Sequence, residues 1–579
     1  MTSTERPWHK YYGDHPVDVA VPDQTIYESL AAAAAKWPQQ TALVYMGKRL
    51  NYEELLHEVD QCAGALEAAG VGPADSVTLA LPNIPNVIVL FYALNRIGAR
   101  IAMVHPLSST TEIAHYLRET GSTFAVTVDL FLKRFGPILE QSGVSRLVVA
   151  RISDYLPKLK AIGFAATKGR KIPPIPKDDS RITTWRDFMR SAPPPSTYAR
   201  HIDPDDGAVV LFSGGTTAMP KGIELSSGAF NALAVSMGYV IGVKLGDSVL
   251  AILPVFHGFG LGLCVHTALC GGAYPILVPE FSVKVYVENL VKYRPSIIAG
   301  VPTLFEALLR DDRFAKVDLS HLERAYCGGD SLTADLKRRM DTAILERSGH
   351  IELVEGYGLT ESVTACVLSP LGNYREGSMG VPIPGMDMKV VDPETGNQCP
   401  PGQDGEICIA GPTLMKRYIN DPEATDHALR RHDDGSIWLH SGDTGWMDED
   451  GYVYFRGRTK RIIKVSGMSV YPMQVEQVLE AHPSVTQACV IGTPDDYQMS
   501  SVKAYVVLTP GVTEDQEKLR GDLTAHCRTH LIKWAVPRVI EFRDKLPTTR
   551  VGKVAYTELE REHLAAAGGP AAPPSASTF

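Results

Sequence analysis

Residues Phe212–Gly222 read FSGGTTAMPKG and directly follow the apolar run Ala208, Val209, Val210, Leu211. A short apolar run that opens into glycines and hydroxyls predicts a buried strand delivering a polar loop. Gly214 and Gly215 have no Cβ, so backbone N–H groups can turn toward an anion, while Ser213, Thr216 and Thr217 add hydroxyl donors and Lys221 adds charge. The string is not the P-loop pattern of nucleoside triphosphatases, which needs Gly before the lysine and Ser or Thr after it; Pro220 and Gly222 stand there. Alone, it fits a mobile polar loop as well as a phosphate grip. The rest of the chain separates the two.

Four further motifs follow in order: EGYGLTES from Glu355 to Ser362, GE at Gly405 and Glu406, SGD at Ser441–Asp443 leading into GRTKRIIKVSG from Gly457 to Gly467, and PTTRVGK from Pro547 to Lys553. The ordered set resembles the adenylate-forming superfamily of acyl-CoA synthetases, adenylation domains and luciferases, over about Tyr27 to Leu559. Two details look like the bacterial medium- and long-chain fatty acid–CoA ligases: the Gly214-Gly215 pair, where most relatives have Ser-Gly, and a basic insertion before the loop.

That insertion, Tyr155–Lys177, carries six basic residues and no acidic one, with Leu156, Leu159, Ile162 and Phe164 among them. A basic apolar stretch can rest on anionic lipid. On the residues alone, a solvated linker ending in a polyproline turn is the favoured reading.

The 579-residue chain has a formal net charge of −9, which gives no support for a basic nucleic-acid-binding face. Its nine cysteines are scattered and lack a CxxC pair, as expected of buried thiols in a reducing compartment, and suggest no zinc site. The N-terminus has no apolar h-region, so no secretory signal is expected. Ser248 to Pro279 lacks charged residues, but its prolines and glycines break it, predicting a strand, a buried helix and a second strand rather than a membrane span. A soluble cytoplasmic protein that touches membranes at most peripherally is expected, with oligomeric state open and a homodimer allowed.

The N-terminal half alternates strand and helix. Asn51 with Glu54 predicts a capped helix burying Leu55, Leu56, Val59, Cys62 and Leu66, and apolar strands are expected at Val77–Leu81, Ile101–Val104 and Phe124–Val128. The expected fold is α/β: a large N-terminal domain, residues 1–459, of two α/β layered subdomains and a β-rich one around Met388 to Trp446, then a small mobile α+β domain, 460–566, and a disordered tail, 567–579.

The resemblance implies site residues one by one. The phosphates of ATP fall to Ser213, Gly214, Gly215, Thr216, Thr217 and Lys221, adenine to Gly328, Gly329, Asp330 and the ring of Tyr357, and ribose to Asp443 and Arg458. Thr360 contacts phosphate, Glu361 holds magnesium, and Lys553 stabilises the first transition state. Lys460 is the hinge that exchanges Lys553 for a CoA-facing surface around Gly467, and His257 stands at an aromatic gate between the ATP and acyl pockets. ATP, Mg2+ and coenzyme A are thus the implied cofactors, and a fatty acid the implied substrate. Gly258, Gly260 and Gly262 read as a channel for an alkyl tail, with close packing as the alternative.

Departures from the pattern are Ala218 for the usual Gly, Arg461 for an acidic residue, and Met499-Ser500 for Gly-Glu. Alternatives kept open are transfer of the acyl-AMP to a carrier protein, closure of a β-lactone, and a ligase for an aromatic or other carboxylic acid; a nucleotide-binding protein without catalysis would predict loss of Lys553 or Glu361, and both are present. An amino-acid substrate is disfavoured because Phe256–Leu261 lacks the Asp that would hold an α-amino group.

Overall fold

The structure is a computed structural model; it describes residues 6–566 except 74, 177, 194–201, 213–219, 281, 434, 459–460, 467, 496–498 and 550–553. Ser213, Gly214, Gly215, Thr216, Thr217, Ala218, Lys460, Gly467, Lys553 and the tail therefore lie outside the described residues. The chain divides into two compact units. The first comprises Met1–Gly215, Met219–Asp387 and Ile409–Leu439, and the second Thr216–Ala218, Met388–Cys408 and His440–Phe579.

The first unit holds two sheets. In one, eight strands run in the order Arg417–Tyr418, Gly222–Ser226, Gly207–Phe212, Arg100–Met103, Ser76–Ala80, Phe124–Val128, Arg146–Ala150, Ile182–Thr184, parallel from Gly207–Phe212 onward. The strand expectations hold to within a residue at each end. Strands buried on both faces need continuous apolar sequence, and Ser76–Ala80 and Phe124–Val128 are buried throughout. The second sheet runs Val381–Pro382, Ala365–Leu368, Leu353–Gly358, Arg324–Gly328, Ile297–Gly300, Ser248–Ala251, Tyr274–Leu277, Thr41–Tyr45, Lys48–Asn51, and is parallel between Leu353–Gly358 and Thr41–Tyr45.

Helices fill the crossovers and begin where their caps dictate. At Tyr52–Ala68, the Asn51 side chain accepts from the Glu54 N–H at 2.7 Å while the Glu54 carboxylate accepts from the Asn51 N–H at 2.9 Å. This reciprocal cap contributes about 1 kcal/mol, and it presents Leu55, Val59, Cys62 and Leu66 to the core with no exposure; Leu56 is half-buried. The uncharged stretch forms the strand Ser248–Ala251, a helical run with the π-helix Phe259–Thr267, and the strand Tyr274–Leu277, as expected. No described helix is long and apolar enough to cross a membrane.

The smaller unit is β-rich and then α+β. Ile437–Met447 and Val453–Arg458 pair antiparallel, Asp443 opposite Arg458 and Met447 opposite Val453. Further on, Val485–Asp495, Met499–Leu508 and Val539–Arg543 form a sheet packed with Pro472–Glu480 and Gln516–His530 around Val475, Leu479, Val490, Val506, Leu519 and Leu523. The α/β class and the order of large then small parts are as the sequence predicts. All nine cysteines are free thiols, eight buried and Cys270 half-buried.

Candidate active site

Arg324–Gly328 and Leu353–Gly358 are parallel neighbours in register Cys327 to Glu355 and Gly328 to Gly356, so both chains leave the sheet at the same edge. Crevices beyond the carboxyl ends of parallel strands are where such sheets bind ligands. Gly328, Gly329, Asp330 and Tyr357 all stand there. A Cβ on Gly328 would lie 3.0 Å from the Gly356 carbonyl oxygen, and Gly329 has φ +83°, which turns the chain outward. Beyond it the Asp330 carboxylate accepts from the Ser331 N–H at 3.0 Å.

Beneath that turn sits a buried carboxyl. Glu355 is 8% exposed, and burial pushes its pKa up to about 8 despite the Leu332 N–H, which donates to it at 3.1 Å, and nearby Lys337. The Leu332 bond fixes the far side of the Gly328–Asp330 turn.

Thr360 and Glu361 lie in the tight turn Thr360–Ser362 after the strand. The Tyr418 hydroxyl donates to the Glu361 carboxylate at 2.8 Å, and the Met415 N–H donates to the Glu361 carbonyl at 2.7 Å. Lys221 reaches the same tyrosine: its Nζ lies 5.1 Å from the Tyr418 ring centre and 2.9 Å from the Asp421 carboxylate. Lys221 and Glu361, far apart in sequence, thus share Tyr418. Sequence reasoning missed both Tyr418 and Asp421; the run GPTLMKRYIND, Gly411–Asp421, has no charge pattern that singles them out. Glu224 anchors this edge, with its buried carboxylate 2.8 Å from Arg100 and 2.7 Å from Arg417. Only the glutamate is buried, the Arg100 and Arg417 side chains being 28% and 58% exposed, so the two arginines chiefly offset the desolvation of the Glu224 carboxylate.

Val363 then does what valine rarely does. Its φ is +63° and ψ −58°, and the Thr364 N–H bonds the Ser362 carbonyl at 2.7 Å, closing a three-residue γ-turn on a β-branched, wholly buried residue. The Val363 carbonyl fills the position of a side chain at Gly258, where a Cβ would come within 1.6 Å of it. At Gly260 a Cβ would meet the Pro254 carbonyl at 2.2 Å, and at Gly262 the Leu233 side chain at 2.8 Å. The alkyl channel expected at Gly258, Gly260 and Gly262 is therefore corrected: backbone and side chains occupy that space, and these glycines serve close packing. His257, just before them, is half-buried and accepts the Phe259 N–H on Nδ1 at 3.2 Å, which puts the ring proton on Nε2.

The second unit brings Asp443 and Arg458 together as cross-strand partners, Arg458 Nε 3.2 Å from the carboxylate. Asp443 is fully buried, whereas the Arg458 side chain is 59% exposed. Its strand is set by Glu406, the acidic residue of the GE motif, which accepts the Gly442 N–H at 3.1 Å and lies 2.8 Å from His440 Nδ1. Ser441 adds a hydroxyl bond to the Ile407 carbonyl at 2.6 Å. Glu406, Cys408 and His440 put three ligand atoms within 4.8 Å, but the Gly442 and His440 contacts engage both glutamate oxygens, so the trio acts as a hydrogen-bonded strut. Arg461 bonds Glu476 at 2.7 Å and the Val490 carbonyl at 3.2 Å and lies over the Tyr556 ring, which accounts for a cation there.

Residues 30–419 match the profile of AMP-binding enzymes, and residues 474–553 match the AMP-binding enzyme C-terminal domain. The chain belongs to the AMP-binding enzyme family. Within that family it is 32% identical to a long-chain-fatty-acid–CoA ligase of Bacillus subtilis (strain 168), over 96% of this chain and 98% of the relative. A feruloyl-CoA synthase of Amycolatopsis sp is 31% identical over 90% of this chain and 96% of its own. Among solved structures of AMP-binding enzymes, the anthranilate CoA ligase AuaEII in complex with anthranoyl-AMP superposes with a TM-score of 0.82 at 25% identity, covering 96% of this chain and 99% of that one. ATP-bound MatB from Rhodopseudomonas palustris gives 0.80 at 25% identity, covering 93% and 99%.

Proposed function

We propose that this AMP-binding enzyme activates a medium- or long-chain fatty acid with ATP and transfers the acyl group to coenzyme A, releasing pyrophosphate and AMP. The observation that carries this reading is the end-to-end likeness to fatty-acid–CoA ligases of about 30% identity, which spans both the motif-bearing unit and the C-terminal part. A carboxylate is a poor electrophile because its leaving group would be oxide. Exchanging that oxygen for AMP supplies a good leaving group, and a thiolate can then attack the acyl carbon.

Each side chain has a task in that scheme. The loop Ser213, Gly214, Gly215, Thr216, Thr217 with Lys221 holds the phosphates; Gly328, Gly329, Asp330 and Tyr357 take adenine; Asp443 and Arg458 take the ribose hydroxyls. Both reactants of the first step are anions, so neutralisation and positioning dominate. Glu361 fits a divalent cation: it is a half-buried carboxylate already oriented by Tyr418, beside Thr360. Mg2+ bound there would screen the triphosphate. Lys553 stabilises charge at the α-phosphate, and rotation of the domain beginning at Lys460 withdraws it and presents Gly467 to CoA. His257 gates the acyl side.

A second reading, an aromatic acid, is favoured by the full-length likeness to the feruloyl-CoA synthase. Pyrophosphate release measured over a series of saturated and aromatic acids, with and without CoA, decides between them. Turnover with neither class would overturn both.

A further inference from the structure

The basic insertion folds into the helix Lys158–Ala166, and none of its residues is buried. Leu159 is 85% exposed and Ile162 68%, three residues apart and hence on one face. A helix this apolar normally turns such residues to a core. Lys158, Lys160, Arg170 and Lys171 surround them, all exposed, and among the described residues no ion pair engages Lys158, Arg170 or Lys171. The hairpin tip Met46-Gly47-Lys48-Arg49 extends this surface. Lys160 Nζ donates to the Met46 carbonyl at 2.7 Å, Met46 is 36% exposed, and Lys48 and Arg49 are exposed. Lys292 lies against Lys160 from a third element. The acid facing Lys48, Glu58, sits half-buried below, bound by the Tyr155 hydroxyl.

We propose that Lys158–Ala166 and the Met46–Arg49 tip form a docking surface for an anionic lipid bilayer. Leu159, Ile162 and Met46 enter the boundary between headgroups and acyl chains, and the lysines and arginines contact the phosphates. Charge selects this occupant over a second copy of the chain, because a twofold interface would press the same cations against one another. The surface goes beyond the ligase reading and gives it an address: an acid dissolved in the bilayer would be met where it resides.

The test uses the full-length protein with vesicles of phosphatidylglycerol and phosphatidylcholine, and of phosphatidylcholine alone, read by co-flotation without ATP or acid, so failure of the fatty-acid reading leaves it intact. Each cation near an anionic surface strengthens partition about fivefold, so K158Q/R170Q/K171Q should bind on the order of a hundredfold more weakly. L159S/I162S should also lose most binding, and both variants should keep the wild-type melting temperature because the altered side chains are exposed. Wild-type binding should weaken with salt and be poor on neutral vesicles. Equal partition of wild type and variants, no binding by the wild type, or no preference for anionic vesicles would overturn the proposal. So would sedimentation showing a wild-type dimer that L159S/I162S converts to monomer, which would assign the face to a protein contact.

Discussion

Replacing Glu355 by glutamine should stabilise this protein, and by more as the pH rises. Burial raises the Glu355 carboxyl from its ordinary 4.5 to about 8. Between those values the folded chain keeps a proton that the unfolded chain has released, so stability falls as pH climbs through this window and the loss is complete above it. At 1.36 kcal/mol per unit the full effect is about 5 kcal/mol, of which about 2–3 kcal/mol falls between pH 6 and pH 9. Glutamine retains an acceptor for the Leu332 N–H but has no proton to lose, so the difference between the two proteins isolates this one group. For a unit of several hundred residues, 1 kcal/mol moves the midpoint by roughly 1 °C, giving a gap that widens by about 3 °C over that range. Thermal unfolding of both proteins, followed side by side at half-unit pH steps, measures it. Melting curves that stay parallel, or a glutamine variant that falls behind at high pH, would refute burial as the cause. Glu355→Leu is the complement: it also has no proton to lose but strands the Leu332 N–H, so it should trail the glutamine variant by about 1–3 kcal/mol at every pH.

Three other expectations are open to measurement. Tyr418→Phe deletes the hydroxyl bonded to Glu361 and should slow acid-dependent pyrophosphate release roughly two- to tenfold, with the melting temperature little changed; an unaltered rate would mean that Tyr418 does not orient that carboxylate. Lys553→Ala should abolish adenylation by several orders of magnitude yet still convert supplied acyl-AMP and CoA to thioester; equal loss of both half-reactions would contradict its role. Gly258→Ala pushes a methyl into the Val363 carbonyl and should destabilise by about 1–3 kcal/mol or more, whereas Gly238→Ala, where a Cβ meets nothing within 4 Å, should be neutral or slightly stabilising; thermal melts of the pair compare them directly.

The fold was legible where a period or a cap sufficed. Val77, Ile101 and Phe124 sit in the buried strands their apolar runs predict, and the Asn51–Glu54 box starts its helix where the residues say. The same holds for adenine candidates on adjacent strands, since Gly328 and Tyr357 close apolar runs that parallel pairing aligns. Contacts that join distant segments were not legible: nothing local in Tyr418 announces that it bridges Lys221 and Glu361, and nothing in Glu224 announces Arg100 and Arg417. The glycine channel failed for a definite reason. In the sequence a missing side chain reads as space, but the backbone at Val363 and Pro254 fills it.

Val363 also explains how the turn bearing Thr360 and Glu361 is held. A β-branched residue in a γ-turn of positive φ carries on the order of 1–3 kcal/mol of strain, and such strain persists only where surroundings over-determine the conformation. Here the constraints can be named. The Tyr418 hydroxyl fixes the Glu361 carboxylate, the Met415 N–H fixes its carbonyl, and the Val363 carbonyl is wedged against Gly258, whose chain neighbour is His257. A carboxylate held on several sides loses little freedom when a cation or phosphate arrives, which is the condition for electrostatic stabilisation without reorganisation. The link through Gly258 further means that a displacement of the His257 segment cannot leave the Glu361 turn untouched, because no gap separates the Val363 carbonyl from the Gly258 backbone. Strain at Val363 thus ties the residue proposed to gate the acyl side to the residue proposed to hold the metal.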